Sequence, residues 1–193
     1  MKHKLVIFAS GSGSNAVNVC EHFKLHPTIE VSALFCNNPN AGVIAKMKAM
    51  NIPVEVFNRE TFMQETAFLT LLQKYNPDML ALLGFLWKAP HYLVQAYPKK
   101  IINLHPALLP KFGGKGMYGL FVHKAVKEAN ETKTGITLHW VNEQYDEGEI
   151  IAQFTCNINH LDTVETIALK IHALEQAHVP EVIEQAMVPT EPK

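Results

Sequence analysis

Short, nearly continuous apolar runs punctuate the first two thirds of the chain, with polar turns and helix-like stretches between them. "KLVIFAS", "IEVSALFCN", "PVEVF", "DMLALLGF" and "KKIINLH" read as strands, because a strand covered on both faces loses polar alternation. Between them, "AVNVCEHFKL", "GVIAKMKAM", "TFMQETAFLTLLQKY" and "HYLVQAY" carry apolar residues at helical spacing; in the third, Phe62, Phe68, Leu69 and Leu72 fall on or near one face. Strands alternating with helices predict a mainly parallel sheet with right-handed crossovers. The last third changes character. "TGITLHWV" and "GEIIAQFTC" flank the polar turn "NEQYDEGE" and predict an antiparallel hairpin added to the sheet, and "TVETIALKIHALEQAHVPEVIEQAM" predicts a closing helix N-capped by Thr163. The expected fold is α/β: a Rossmann-like, mainly parallel sheet flanked by helices, with an antiparallel C-terminal hairpin. One domain over residues 1–193 is expected, ending in a loose tail at 189–193.

Composition narrows the function classes. The chain has 193 residues and a formal net charge of -1, enough length for one substantial core and no basic footprint for nucleic acid. "KMK" and "PKK" are too short to form one. The apolar run after the basic start is too short for a signal peptide, and no segment reaches the ~20 residues that span a bilayer. A cytoplasmic protein without membrane partners is expected, with Cys20, Cys36 and Cys156 reduced and buried. The ten His are scattered without ligand spacing to carboxylates, so no metal is expected, and no GxSxG elbow offers a serine nucleophile.

Two stretches carry candidate chemistry. "SGSGSN", Ser10 to Asn15, lies between the first strand and the first helix, where glycines let backbone N–H groups approach a phosphate and Ser14 and Asn15 can donate or cap. Gly11, Gly13 and Ala16 also satisfy a dinucleotide fingerprint. That reading needs a carboxylate at the end of the second strand; "FCNNPN" has none, and a phosphomonoester fits better. A tight turn without ligand is the plain alternative. In "IINLHPALLP", Asn103 and His105 stand two residues apart and share one face at the C-terminal end of a parallel strand, the ligand-binding edge of such sheets. An amide beside an imidazole suits acyl chemistry, although a histidine that merely satisfies a turn is an even alternative. Asp146, in the hairpin turn, is the best carboxylate to hold that imidazole; Asp78 falls at the opposite edge, Asp162 belongs to the last helix, and Glu147 and Glu149 read as solvated.

Together "SGSGSN", "NPDMLALLGF", "INLHPALLPKFGGKGMYG" and "VNEQYDEGEIIAQ" closely resemble the phosphoribosylglycinamide formyltransferases, folate-dependent enzymes of purine biosynthesis, from about residue 4 to 185. The resemblance implies formyl transfer from 10-formyltetrahydrofolate, as co-substrate, to the amine of 5-phosphoribosylglycinamide. It implies that Asn103 positions the formyl oxygen, His105 donates a proton, and Asp146 raises the His105 pKa and keeps the ring charged. It assigns the phosphate and ribose of the substrate to Gly13, Ser14, Asn15, His172 and Glu175. It assigns the folate to Arg59, Leu86, Trp87, Lys88, Ala89 and Asn103, and to Asn142, Glu143, Gln144 and Tyr145. The chain departs from many members in having "LWK" after "GF", and from some in lacking a histidine near Phe121. His123 reads as a helix-surface residue and "GGKGMYG" as a flap over the site. The partners implied are small molecules only, in a monomer or homodimer. The rival readings are a formyltetrahydrofolate hydrolase, a methionyl-tRNA formyltransferase, a nicotinamide oxidoreductase and a non-catalytic phosphate-ligand module. The first two are expected to bring added domains, and the compact ends suggest a stand-alone enzyme.

Overall fold

A computed structural model of the chain describes residues 1–188. The strands are β1 (His3–Phe8), β2 (Ile29–Cys36), β3 (Val54–Val56), β4 (Met79–Leu82), β5 (Ile101–His105), β6 (Lys133–Trp140) and β7 (Ile150–Asn157). The helices are α1 (Ser14–Phe23), α2 (Gly42–Ala49), α3 (Arg59–Met63), α4 (Glu65–Gln73), α5 (His91–Ala96), α6 (Leu120–Glu128) and α7 (Val164–Met187). One seven-stranded sheet runs in the order β3-β2-β1-β4-β5-β6-β7. β1 to β5 pair in parallel, and β5–β6 and β6–β7 pair antiparallel, the predicted hairpin.

Strand order steps outward from β1 to β3 and then resumes on the other side at β4. This reversal leaves a crevice beyond the carboxyl ends of β1 and β4, where open α/β sheets take ligands.

Alternation along β1 feeds two apolar layers: Leu5 and Ile7 join Val19, Phe23, Ile171 and Val179, while Val6 and Phe8 join the other face. That second layer is aromatic. Phe68 packs its ring 4.9 Å from Phe62 and 5.0 Å from Phe57, with Phe8 and Phe35 behind them.

Two details differ from the sequence pattern. The helical stretch 61–75 is two helices, because Asn58 caps α3 by accepting from Thr61 N–H at 2.8 Å and Gln64 is extended, at φ -95° and ψ 97°. Cys20 and Cys36 are buried, but Cys156 on β7 is only half-buried. The tail expected at 189–193 lies outside the described residues. Thr163 does cap α7, within a reciprocal box with Thr166. Among the described residues no helix is long and apolar enough to cross a membrane.

Phe68 is fully buried where four other rings meet, so Phe68→Ala leaves a cavity that cannot close from one side. The expected loss is about 3–5 kcal/mol. Guanidinium denaturation should show it as a lower midpoint at unchanged slope.

Candidate active site

Asn103 and His105 end β5, and antiparallel pairing sets Asn103 directly opposite His139 of β6 and His105 opposite Thr137. Directly paired residues project to the same face, which is how a second imidazole arrives beside the amide. Asn103 Nδ2 donates to His139 Nε2 at 3.0 Å and to Asp146 Oδ1 at 3.3 Å, so both amide N–H groups are committed. The His139 Nδ1–H donates to the Trp140 carbonyl at 3.0 Å, fixing the tautomer that leaves Nε2 to accept. His139 carried no signal in the sequence. Only the β5–β6 register, which a period-two pattern does not specify, reveals it.

Asp146 occupies the loop between β6 and β7 with φ 55°, a left-handed conformation that Asp tolerates better than most residues. Two glycines make room for it. A Cβ at Gly148 would overlap the Trp140 carbonyl, and one at Gly113 would press on Leu109 and lie 3.2 Å from the Asp146 Cβ. Asp146 Oδ2 accepts from Gly114 N–H at 2.9 Å and stands 3.6 Å from His105 Nδ1; Oδ1 stands 3.6 Å from His139 Nε2. Burial alone would raise its pKa, but the adjacent His139 and His105 rings and the Gly114 N–H outweigh it, and the carboxyl sits below its ordinary value.

His105 is 3 % exposed, and its Nε2–H donates to the Phe112 carbonyl at 2.8 Å. Burial lowers its pKa most. Asp146 and the Phe112 carbonyl raise it, His139 lowers it further, and the ring titrates below its ordinary value. The expected charge held by Asp146 is therefore not met: attraction offsets only part of the desolvation. The turn after β5 is held by Thr137, whose hydroxyl donates to the Ala107 carbonyl at 2.7 Å and accepts from Leu109 N–H and Gln153 Nε2.

The glycine loop is tied down without covering the helix end. Gly13 adopts φ 74° against Val43, where any Cβ would collide. Val43 N–H donates to the Gly11 carbonyl at 3.1 Å, and Lys46 Nζ to the Ser12 carbonyl at 2.9 Å. Neither Ser14 nor Asn15 caps α1. Asn15 instead joins the loop to α7, donating to Glu175 Oε2 and accepting from Gln176 Nε2, both at 2.9 Å. Burial pushes the Glu175 carboxyl up.

These groups face one cavity of about 600 Å³. The glycine loop and α7 contribute Ser12, Asn15 and Glu175; Leu86, Trp87, Lys88 and Ala89 follow β4; Asn142, Gln144 and Tyr145 come from the hairpin loop. Asn103, His105, His139 and Asp146 complete the wall. The remaining sequence candidates stand apart. Gly13 and Ser14 are not part of the lining, and Glu143 pairs with His91 at 2.8 Å. Exposed His172 stands 3.6 Å from Glu175, outside the lining. Arg59 is also outside it, its guanidinium 5.6 Å over the Trp87 ring, and Trp87 packs half-buried against Phe57, Phe62 and Phe85. One expectation is reversed: His123 is buried and lines the cavity, because α6 turns its Val122 and Val126 stripe inward and carries the adjacent position with it. Among the described residues no group of three or more His, Cys, Asp or Glu could hold a metal ion.

An α/β sheet whose switch-point cavity joins a glycine loop to a half-buried amide, imidazoles and a carboxylate fits a group-transfer enzyme. Comparison with known proteins makes this particular: residues 3–183 match the formyl transferase model, and the chain belongs to that family. Within it the chain groups with the phosphoribosylglycinamide formyltransferases. It is 38% identical over 189 residues to that enzyme of Bacillus subtilis, covering 95% of this chain and 94% of the relative. It is 39% identical over 190 residues to the chloroplastic enzyme of Arabidopsis thaliana, of which it spans 64%. The solved phosphoribosylglycinamide formyltransferase of Bacillus halodurans superposes with a TM-score of 0.87 at 34% identity, covering 97% of both chains.

Asp146→Asn removes the attraction acting on His105, so His105 should titrate at lower pH than in the unaltered protein, read by histidine NMR. Its effect on stability has a definite sign. A carboxylate with a depressed folded pKa contributes above its unfolded value near 3.9, and that contribution fades as pH falls through the folded value. The variant should thus lose less stability than the unaltered protein between about pH 5 and pH 3.

Proposed function

We propose that the chain transfers a formyl group from 10-formyltetrahydrofolate to the amine of 5-phosphoribosylglycinamide, a step of purine biosynthesis. The observation that carries this reading is the meeting of Asn103, His105 and Asp146 in one cavity with an anion-ready loop, in a chain that aligns almost end to end with the Bacillus subtilis enzyme. The phosphate fits the loop and the open end of α1, where unpaired N–H groups and the helix dipole favour an anion. In this reading Glu175, tied to Asn15 beside the loop, accepts from the ribose hydroxyls. The pterin fits along Leu86 to Ala89 and the 142–145 loop. Glu143, His172 and Arg59 are left with secondary parts, the last through Trp87.

The amine attacks the formyl carbon directly, and negative charge develops on the formyl oxygen. Asn103 supplies a donor there by releasing its longer bond, the 3.3 Å one to Asp146. The resting His105 ring is mainly neutral near pH 7. An oxyanion forming beside it raises its proton affinity, and both of its protein partners, Asp146 and the Phe112 carbonyl, are acceptors suited to the protonated ring. The proton that the attacking amine loses on forming the new C–N bond reaches His105, and the protonated ring then delivers it to the departing folate nitrogen. Asp146 stays ionised throughout and holds the ring's orientation.

The test supplies formylated folate with and without phosphoribosylglycinamide and follows deformylated folate. Release that depends on the glycinamide supports transfer; equal release without it identifies a hydrolase; folate binding with no release identifies a binding module. Asn103→Ala, His105→Ala and Asp146→Ala should each lower kcat by about 100-fold or more while binding of the phosphate substrate persists. Near-normal turnover in all three would overturn the assignment.

A further inference from the structure

His123 has no part in the chemistry just described, yet it is built like a working group. It sits one turn into α6, beside the apolar stripe of Val122 and Val126, and is 6 % exposed. Its Nδ1 is enclosed without any hydrogen-bond partner. Burying an imidazole nitrogen unpaired costs stability that a leucine at the same place would avoid, so packing gives no reason for a histidine. The ring instead forms part of the cavity wall shared with Asn103, His105 and Glu175. α6 packs on α7, the helix that contributes Glu175 and receives Asn15, and the His123 ring lies within electrostatic reach of His105. The titratable groups sharing that wall are His105, His139, Asp146, Glu175, Lys88, Lys115, Tyr118 and Tyr145. Burial, reinforced by the nearby His105, lowers the His123 pKa and leaves the ring neutral at pH 7, with a lone pair to offer.

We propose that His123 is a second catalytic imidazole, one that accepts a hydrogen bond and then a proton from the attacking amine of the phosphoribosylated substrate. The inference rests on the formyl-transfer reading above and adds a residue to it. When the amine nitrogen bonds to the formyl carbon it becomes positively charged and must lose one proton; His123 takes it. When the bond from that carbon to the folate nitrogen breaks, the folate nitrogen takes one proton from His105. That proton comes from His123 through solvent and charges the otherwise neutral His105 before the bond breaks, so both rings end neutral, one proton leaves the amine and one reaches the folate. Two rings divide the labour that a single one would otherwise perform in turn.

The experiment compares the full chain with His123→Leu and His123→Ala. His123→Leu should melt at or above the temperature of the unaltered protein and bind a folate analogue with similar affinity. Its kcat/KM for the glycinamide should be lower by about 100-fold. Added imidazole should restore part of the activity of His123→Ala. In the unaltered protein the His123 NMR resonance should move on adding phosphoribosylglycinamide and stay put with the folate analogue alone. Activity of His123→Leu within about threefold of normal overturns the proposal, as does a loss that merely follows a lower melting temperature with no imidazole rescue. A His123 resonance that ignores the glycinamide overturns it as well. This last measurement needs no turnover: if the unaltered protein transfers no formyl group, the functional reading falls, while the resonance still decides whether the amine meets His123.

Discussion

The site depends on one carboxylate. Asp146 receives the Gly114 N–H and the Asn103 amide, and holds His105 and His139 at 3.6 Å from its two oxygens. Those partners come from β5, β6 and the glycine-rich segment after β5, so a single buried charge fixes how three pieces of chain meet. Burying it unpaired would be prohibitive. The donors around it, the left-handed backbone at residue 146 and the missing Cβ atoms at Gly113 and Gly148 form one solution to that problem.

The same burial explains the balance of charge. Desolvation pulls the imidazoles of His105 and His123 toward neutrality and pushes Glu175 upward, while the concentration of donors keeps Asp146 ionised. An ionised carboxylate beside imidazoles drawn toward neutrality suits the proposed meeting of an amine and a developing oxyanion.

Much of this was legible in the sequence, for local reasons. Apolar runs fixed the strands, because each is covered on both faces; the two-residue spacing of Asn103 and His105 placed both on the ligand edge once β5 was parallel to β4. Asp146 was readable from its turn. What stayed hidden depends on pairing register and helix rotation. His139 lines the cavity because it lies opposite Asn103, and His123 because α6 rolls its flank inward; neither follows from periodicity near the residue itself. The charge state of His105 was misread for a similar reason, since a sequence shows the attracting carboxylate but not the depth of burial that outweighs it.

If Asp146 is the organising charge, its effect on turnover must pass largely through His105. A double-mutant cycle on kcat/KM with Asp146→Asn and His105→Gln measures that coupling directly. The account predicts strong non-additivity: once His105 is replaced, the Asp146 substitution should cost far less than it does alone. Losses that simply multiply would show two independent residues and contradict it.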